Sequence, residues 1–359
     1  MRTAKVTVAA LIGLASVACA AQVATKSSAT KHSAACRPGM AIDQAGFLPI
    51  GGILQWVTIK GQDCTNPVVL MVHGGPGNPN TPFADRMFGS WTKDFTLVQW
   101  DQRGSGKTFA ASPPAEGERL TIKRLTEDGL DVARYVTRHL GKQKVILMGG
   151  SWGSALAVHL AKANPNLFSA YVGTGQLVNF NAGLRASYSR TLSLARDAGD
   201  KDSVSKLEAL GPPPWANPRA FGALRRVTRK YEALKVEPAP SSWFANPAAG
   251  YDTSAYEAAY SGGEDYSYVE FVGLNGDGIG RGIDVATLGT RFQMPIIMLQ
   301  GEEDLVTPPD LSWAYFQSLS APRKSFVRLP RTGHDPNKAM IDAQFRALTS
   351  LRAGAAAVD

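Results

Sequence analysis

The chain has little of what would tie it to a membrane, a metal or a nucleic acid. The apolar run Val6 to Ala20 is too short to span a bilayer comfortably as a helix. Histidine is scarce, with five in 359 residues, so few positions can serve as a general base, and no metal or cofactor is expected. Only three cysteines are present, so at most one intrachain pair can form. No arginine-rich, aromatic-interleaved motif accompanies the formal net charge of +8, which excludes a nucleic-acid surface of the usual kind and reads instead as solubility or loose attraction to an anionic envelope. No internal repeat is evident, so a solenoid is excluded as well.

What is present is enough chain for a full core, and 44% hydrophobic residues fit one large α/β domain with an insertion better than several small domains. Arg2 and Lys5 before Val6 to Ala20 form a signal-peptide pattern over residues 1–20, with Ala18-Cys19-Ala20 as a small-x-small cleavage site. Cys19 offers a second reading, the acylated cysteine of a lipoprotein that would anchor the chain to lipid. Ser16 stands where that motif usually has a large aliphatic residue, so ordinary secretion, into a periplasm or the medium, is expected. Residues 21–35 are small, polar and aperiodic, and read as a disordered linker. In an oxidising compartment Cys36 and Cys64 are then expected to pair, tying the start of the folded domain to the segment before the first core strand.

Along the folded part, Phe47 to Ile50 and Ile53 to Lys60 read as two strands around the Gly51-Gly52 turn, with Pro49 suited to a sheet edge. Val68 to Val72 is the next strand and runs into His73-Gly74-Gly75-Pro76-Gly77. Phe95 to Trp100 is another, ending in Asp101-Gln102-Arg103-Gly104-Ser105-Gly106, and Thr121 to Leu140 carries helical periodicity with Thr121 as N-cap. Lys144 to Met148, a helix from Ser154 to Ala163, and Ala170 to Gly173 continue a strand and helix alternation that argues for a mainly parallel sheet covered on both faces. First core part: residues 36–175. From 176 to 291 the alternation gives way to helices joined by proline-rich breaks, read as a helical cap. The core resumes over 292–353 with strands at Pro295 to Gly301 and Lys324 to Pro330, and helices at Pro309 to Leu319 and Pro336 to Leu351.

Between the strand at Lys144 and the helix at Ser154 lies Gly149-Gly150-Ser151-Trp152-Gly153, a Gly-x-Ser-x-Gly pattern in the setting of a nucleophile elbow. A serine hydroxyl needs a base within hydrogen-bond reach and a carboxylate to orient that base. Of the histidines, His32 lies in the linker, His73 opens the glycine loop, and His139 and His159 lie on helices; His334, in the loop before the final helix, remains as the base. Asp304, a few residues past the strand ending at Gly301, is taken as the acid, with Glu302 and Glu303 as nearer alternatives. The order Ser151, Asp304, His334 is the one an α/β-hydrolase sheet carries. The oxyanion donors are expected to be the amides of Trp152 and Gly75, each removal costing about 3 kcal/mol in comparable sites. His73 reads as structural, Asp101 and Arg103 as a buried ion pair or loop-fixing groups, and the basic helix Arg219 to Lys235 as a solvated face.

The three motifs HGGPG at His73, DQRGSG at Asp101 and GGSWGS at Gly149, with Asp304 and His334, resemble the prolyl aminopeptidase (proline iminopeptidase) family of α/β-hydrolases. The likeness covers the core from about Phe47 to Leu351 and not the cap. It implies an eight-stranded sheet, a helical cap, and release of an N-terminal residue, often proline, from short peptides, with cap carboxylates binding the free amine. The segment after Gly173 lacks an acidic residue where the first such carboxylate is sought. Glu208, Glu257, Glu264, Asp265 and Glu270 remain as candidates, and the cap aromatics from Trp215 to Phe271 are expected mostly to form a small core of their own. A carboxylesterase acting on small or aromatic esters, and a low-turnover ligand-binding protein on the same fold, are the rival readings.

Overall fold

The computed structural model describes residues 36–355; the expected signal peptide and linker, and Cys19 with them, lie outside these residues. The Gly51-Gly52 turn sets up the first hairpin. β1 (Ile42–Ile50) and β2 (Ile53–Gly61) pair antiparallel around Gly51-Gly52, both with positive φ. β1 begins at Ile42, earlier than Phe47, because Asp43, Gln44 and Ala45 are all exposed on an edge strand and show no alternation in sequence. β3 (Val68–Val72), α1 (Ala84–Phe88), β4 (Thr96–Trp100), α2 (Gly106–Ala111) and α3 (Ile122–His139) follow. Thr121 caps α3 by accepting from the Arg124 amide. β5 (Val145–Gly150), α4 (Trp152–Ala163) and β6 (Phe168–Thr174) complete the first part of the core.

Four helices then intervene: α5 (Phe180–Asp197), α6 (Lys201–Leu210), α7 (Pro218–Ala233) and α8 (Ser254–Val272). The breaks at Pro212 to Pro214 and Pro238 to Pro240 fall between helices, as proline's missing N–H requires. The sheet resumes with β7 (Ile296–Gly301), α9 (Pro309–Ser318), β8 (Lys324–Leu329) and α10 (Lys338–Ala355).

The eight strands run in the order β1-β2-β4-β3-β5-β6-β7-β8, parallel from β4 to β8 and antiparallel at β1/β2 and β2/β4. β3, β4 and β7 are buried along their whole length, which is why they read as unbroken apolar runs. The order reverses between β3 and β5, because the chain leaves β3 toward β4 and returns on its other side. A crevice opens at the carboxyl ends of strands at such a point.

Two apolar clusters flank the sheet. One gathers α3 and α4 with Trp100, Leu147 and Tyr171; the other gathers α1 and α10 with Met71, Phe95 and Met148. The aromatics of the intervening helices do not form a separate core. Phe180, Trp215, Phe221 and Phe271 belong to the first cluster, and Phe271 packs edge-on against Trp152 with centroids 5.6 Å apart. The insertion therefore shares the core of the sheet it covers.

Cys36 and Cys64 form a disulfide across a sequence separation of 28, with Cα atoms 5.8 Å apart. Closing a loop with a sequence separation of 28 restricts the unfolded chain enough to contribute about 3.6 kcal/mol. Cys64→Ser should lower the denaturant midpoint by that equivalent, and thiol titration of the unfolded, unreduced wild type should leave Cys36 and Cys64 unreactive; two free thiols from this pair would exclude the bridge in solution.

Candidate active site

Ser151 sits between the end of β5 and the start of α4 with φ 53° and ψ −124°, a conformation an L residue seldom adopts. The glycines around it make the turn possible. A Cβ on Gly149 would lie 2.3 Å from the Gly153 carbonyl oxygen, and one on Gly153 would lie 2.1 Å from the Val72 carbonyl oxygen. The Ser151 amide donates to the Thr174 carbonyl at 3.0 Å, and the Ser154 hydroxyl donates to the Ser151 carbonyl at 2.6 Å. These bonds lift the Ser151 hydroxyl above the sheet.

His334, in the loop after β8, places Nε2 2.9 Å from the Ser151 hydroxyl. Its Nδ1 lies 3.0 Å and 3.1 Å from the two oxygens of Asp304. The tautomer that satisfies both contacts carries the proton on Nδ1, donates it to the carboxylate, and accepts from the serine. Asp304 follows β7 and is buried; Glu302 and Glu303 precede it and do not meet His334. The Asp304 carboxylate also accepts from the amides of Val306 and Thr307, the Thr307 hydroxyl at 2.6 Å and the Gln300 amide at 3.1 Å. Burial works to raise its pKa, but the His334 charge and these hydrogen bonds together hold it below the usual 3.8. For His334, burial works to lower the pKa, and the charge and hydrogen bond of Asp304 overcome it, leaving the imidazole above 6.5.

Trp152 is the first residue of α4, so its amide has no acceptor within the helix. Gly75 has φ 108°, and a Cβ there would meet Asn78 at 2.7 Å, so glycine is required. His73 is structural: its Nδ1 lies 2.9 Å from the Gly74 carbonyl and its Nε2 accepts from the Gln102 amide at 3.1 Å. Burial pushes its pKa down to about 4, so it is neutral. Because the C=O and N–H of one peptide unit point in opposite directions, holding the Gly74 carbonyl toward His73 leaves the Gly75 N–H on the other side.

The second motif ties the other two together. Gln102 donates its side-chain amide to the His73 carbonyl at 2.9 Å and accepts from the Trp152 indole at 2.9 Å. Asp101 accepts from Thr81 and from the Lys107 amide, and burial pushes it up to about 7. Arg103 pairs with Asp128 at 2.9 Å, not with Asp101. Both residues fix loops.

A cavity of about 480 Å³ opens over Ser151, roofed by α5, α7 and α8. Of the cap carboxylates, Glu264 lines it. Glu208 pairs with Arg196 on the surface, and Glu270 is buried against Arg119. Glu257 and Asp265 are exposed, as is Glu264 itself, but those two do not border the cavity. The basic helix is not only a solvated face, since Arg225 and Arg229 of α7 line the cavity and both reach Asp335, beside His334. Glu232, between basic neighbours in a segment that reads as solvated helix, had no signal in sequence. It is buried, accepts from the Leu305 amide at 2.8 Å and pairs with Arg225. Burial pushes its pKa up. Thr307 was legible in principle, as a threonine three residues after the acid. Among the described residues no group of three or more His, Cys, Asp or Glu gathers for a metal ion, and no helix is long and apolar enough to cross a membrane.

An eight-stranded sheet with this strand order, a nucleophile-elbow turn at the end of β5 and a helical insertion before β7 define the architecture of an α/β hydrolase. A family model for the alpha/beta hydrolase fold matches residues 67–338, and the chain belongs to that family. Within it, the chain is 28% identical over 305 residues to a probable aminopeptidase, YbaC, of Bacillus subtilis (strain 168), covering 81% of this chain and 90% of that protein. It is 26% identical over 328 residues to a proline iminopeptidase of Neisseria meningitidis serogroup B, covering 86% and 96%. Among solved structures, the proline iminopeptidase of Mycobacterium smegmatis superposes with a TM-score of 0.63 at 18% identity, over 88% of this chain and 100% of that one, a likeness of fold.

The geometry of His334 can be checked directly. An NMR titration should place its imidazole pKa above 6.5, and Asp304→Asn should bring it below that value, since burial then acts without the opposing charge. An unchanged pKa in the variant would break the electrostatic account.

Proposed function

We propose that this chain is a secreted serine hydrolase acting as a proline iminopeptidase-like aminopeptidase on short peptides or amino-acyl amides. The observation that carries the reading is the hydrogen-bonded relay, Ser151 to His334 at 2.9 Å and His334 to Asp304 at 3.0 Å, at the floor of a roofed cavity. Ser151 Oγ attacks the acyl carbonyl while its proton passes to His334 Nε2. The developing oxyanion is held by the Trp152 and Gly75 amides. As the C–N bond breaks, His334 returns the proton to the leaving amine, leaving an ester on Ser151. Water then attacks that ester, giving its proton to His334, and the acid departs as Ser151 recovers its hydrogen.

Exopeptidase action is supported by relatives named as aminopeptidases and by Glu264, an anion on the cavity wall suited to a free ammonium. A carboxylesterase is the second reading. It is favoured by α5, which turns Gly183, Leu184 and Ser187 to the cavity and no carboxylate. Secretion is supported by the signal-peptide pattern over residues 1–20 and by a disulfide that persists in oxidising compartments.

A fluorophosphonate probe should label the wild type and not Ser151→Ala; an unlabelled, folded wild type would overturn the serine mechanism. Prolyl or alanyl anilides with a free amine should turn over, and acetylating the amine should abolish it. Glu264→Gln should raise KM for the free-amine substrates about tenfold, the equivalent of about 1.4 kcal/mol. Indifference to amine blocking, with turnover of acyl esters alone, would select the carboxylesterase.

A further inference from the structure

The cavity that holds Ser151 continues past the elbow onto the face of the sheet covered by α1 and α10. There its walls are Met71 of β3, Met87 of α1, Met148 of β5 and Met340 of α10. All four are almost fully buried, so apolar side chains line this part of the cavity.

Gly150 opens the throat of this chamber. Residues 148 and 150 share a face of β5, so a side chain at 150 would point the way Met148 does. Gly149 and Gly153 are forced to be glycine by backbone oxygens within 2.3 Å of their would-be Cβ atoms. A Cβ on Gly150 would meet nothing nearer than the Thr174 carbonyl oxygen at 3.9 Å, and its φ is not positive. Neither packing nor backbone requires glycine there; the missing side chain keeps the passage clear. A third observation is polar. Gln344, 6% exposed on the cavity wall, donates to Thr174 at 3.0 Å, while its own carbonyl oxygen has no donor. That oxygen is closed off from the chamber, so it offers an occupant no contact, and the binding surface there is that of the methionines.

We propose that this methionine-lined chamber is a specificity subsite that receives a flexible aliphatic group of the substrate. The proposal rests on the serine hydrolase reading for its link to turnover, but occupation of the chamber does not depend on it. Unbranched thioether side chains adapt their shape to chains of differing length better than a rigid pocket does.

The chamber is tested by binding first. Hexanamide, a flexible aliphatic chain with a small water-soluble end, should bind the wild type and Ser151→Ala alike in calorimetry. Gly150→Val, which narrows the throat, and Met340→Phe, which fills the chamber from α10 without touching the elbow, should each weaken that binding about tenfold or more. Folded variants that bind hexanamide as the wild type does, or a wild type that binds none, would overturn the subsite whatever the labelling result. Turnover then locates it. Leucyl against alanyl anilide varies the acyl side, and the hexyl against the methyl ester of alanine varies the leaving side. The ratio of long to short should fall about tenfold or more in both variants for one of these pairs; ratios unmoved in both pairs would overturn its role in specificity. Fluorophosphonate labelling of the wild type reports separately on Ser151, so loss of the catalytic reading and loss of the subsite are distinguishable.

Discussion

Everything at this site depends on Ser151 being held at a backbone conformation it would not choose. A non-glycine residue at φ 53° and ψ −124° is disfavoured by about 1–3 kcal/mol and persists only where its surroundings over-determine it. Here they do so by contact. α4 approaches β3 so closely that only glycine fits at Gly153, against the Val72 carbonyl, and only glycine fits at Gly149, against Gly153. The amide of Ser151 is anchored to β6 through Thr174, and its carbonyl is taken by Ser154, whose hydroxyl in turn accepts from the Leu177 amide at the entry to the insertion. The strain is thus balanced by packing between the sheet and the helix, and it fixes where the hydroxyl points.

The same economy of contact explains why three glycine-rich motifs occur in one chain. None of them reaches its geometry alone. The loop after β3 needs His73 to turn the Gly74 peptide, His73 needs the Gln102 amide to hold its ring, and Gln102 needs the Trp152 indole to fix its own side chain. Burial keeps His73 neutral, so the imidazole can donate at one nitrogen and accept at the other across the ordinary pH range. The residues of the motif after β4 are braces between the loop after β3, the elbow and the first hairpin, the last through Arg103, which donates to the Gly51 carbonyl at 2.7 Å.

Features that depend on neighbours in sequence were legible there. The strands over Val68 to Val72 and Lys144 to Met148 announced themselves as apolar runs, the Gly51-Gly52 turn by composition, the elbow by its spacing, and Asp304 and His334 by their places after the last strands. What could not be read depends on residues far apart in the chain. Glu232 sits among Arg229, Lys230 and Lys235 and looks like a solvated carboxylate, yet folding carries it to the Leu305 amide. Arg225 looks like one charge of a basic face until α7 is laid beside Asp335. The insertion's aromatics suggested a small core of their own, because sequence does not reveal that Phe271 will meet Trp152. Gly150 looked like one more glycine of a small-residue turn, and only the open space beyond its absent Cβ separates it from Gly149.

The insertion does more than roof the cavity. α7 and the residues after it contact both loops that carry Asp304 and His334: Glu232 holds Leu305, next to Asp304; Arg225 pairs with Asp335, next to His334; and the Glu237 amide donates to the Arg331 carbonyl at 2.9 Å. Gly333 has Val236 and Glu232 within 3.5 Å of where its Cβ would be. A helix that lines the cavity is therefore also one of the supports of the loops that hold His334 and Asp304. The consequence is a constraint on change. Residues of α5 and α8 on the cavity wall can vary with the substrate while the relay stays in place, but α7 cannot be rebuilt for a new substrate without finding another partner for the Leu305 amide and another anchor for Asp335.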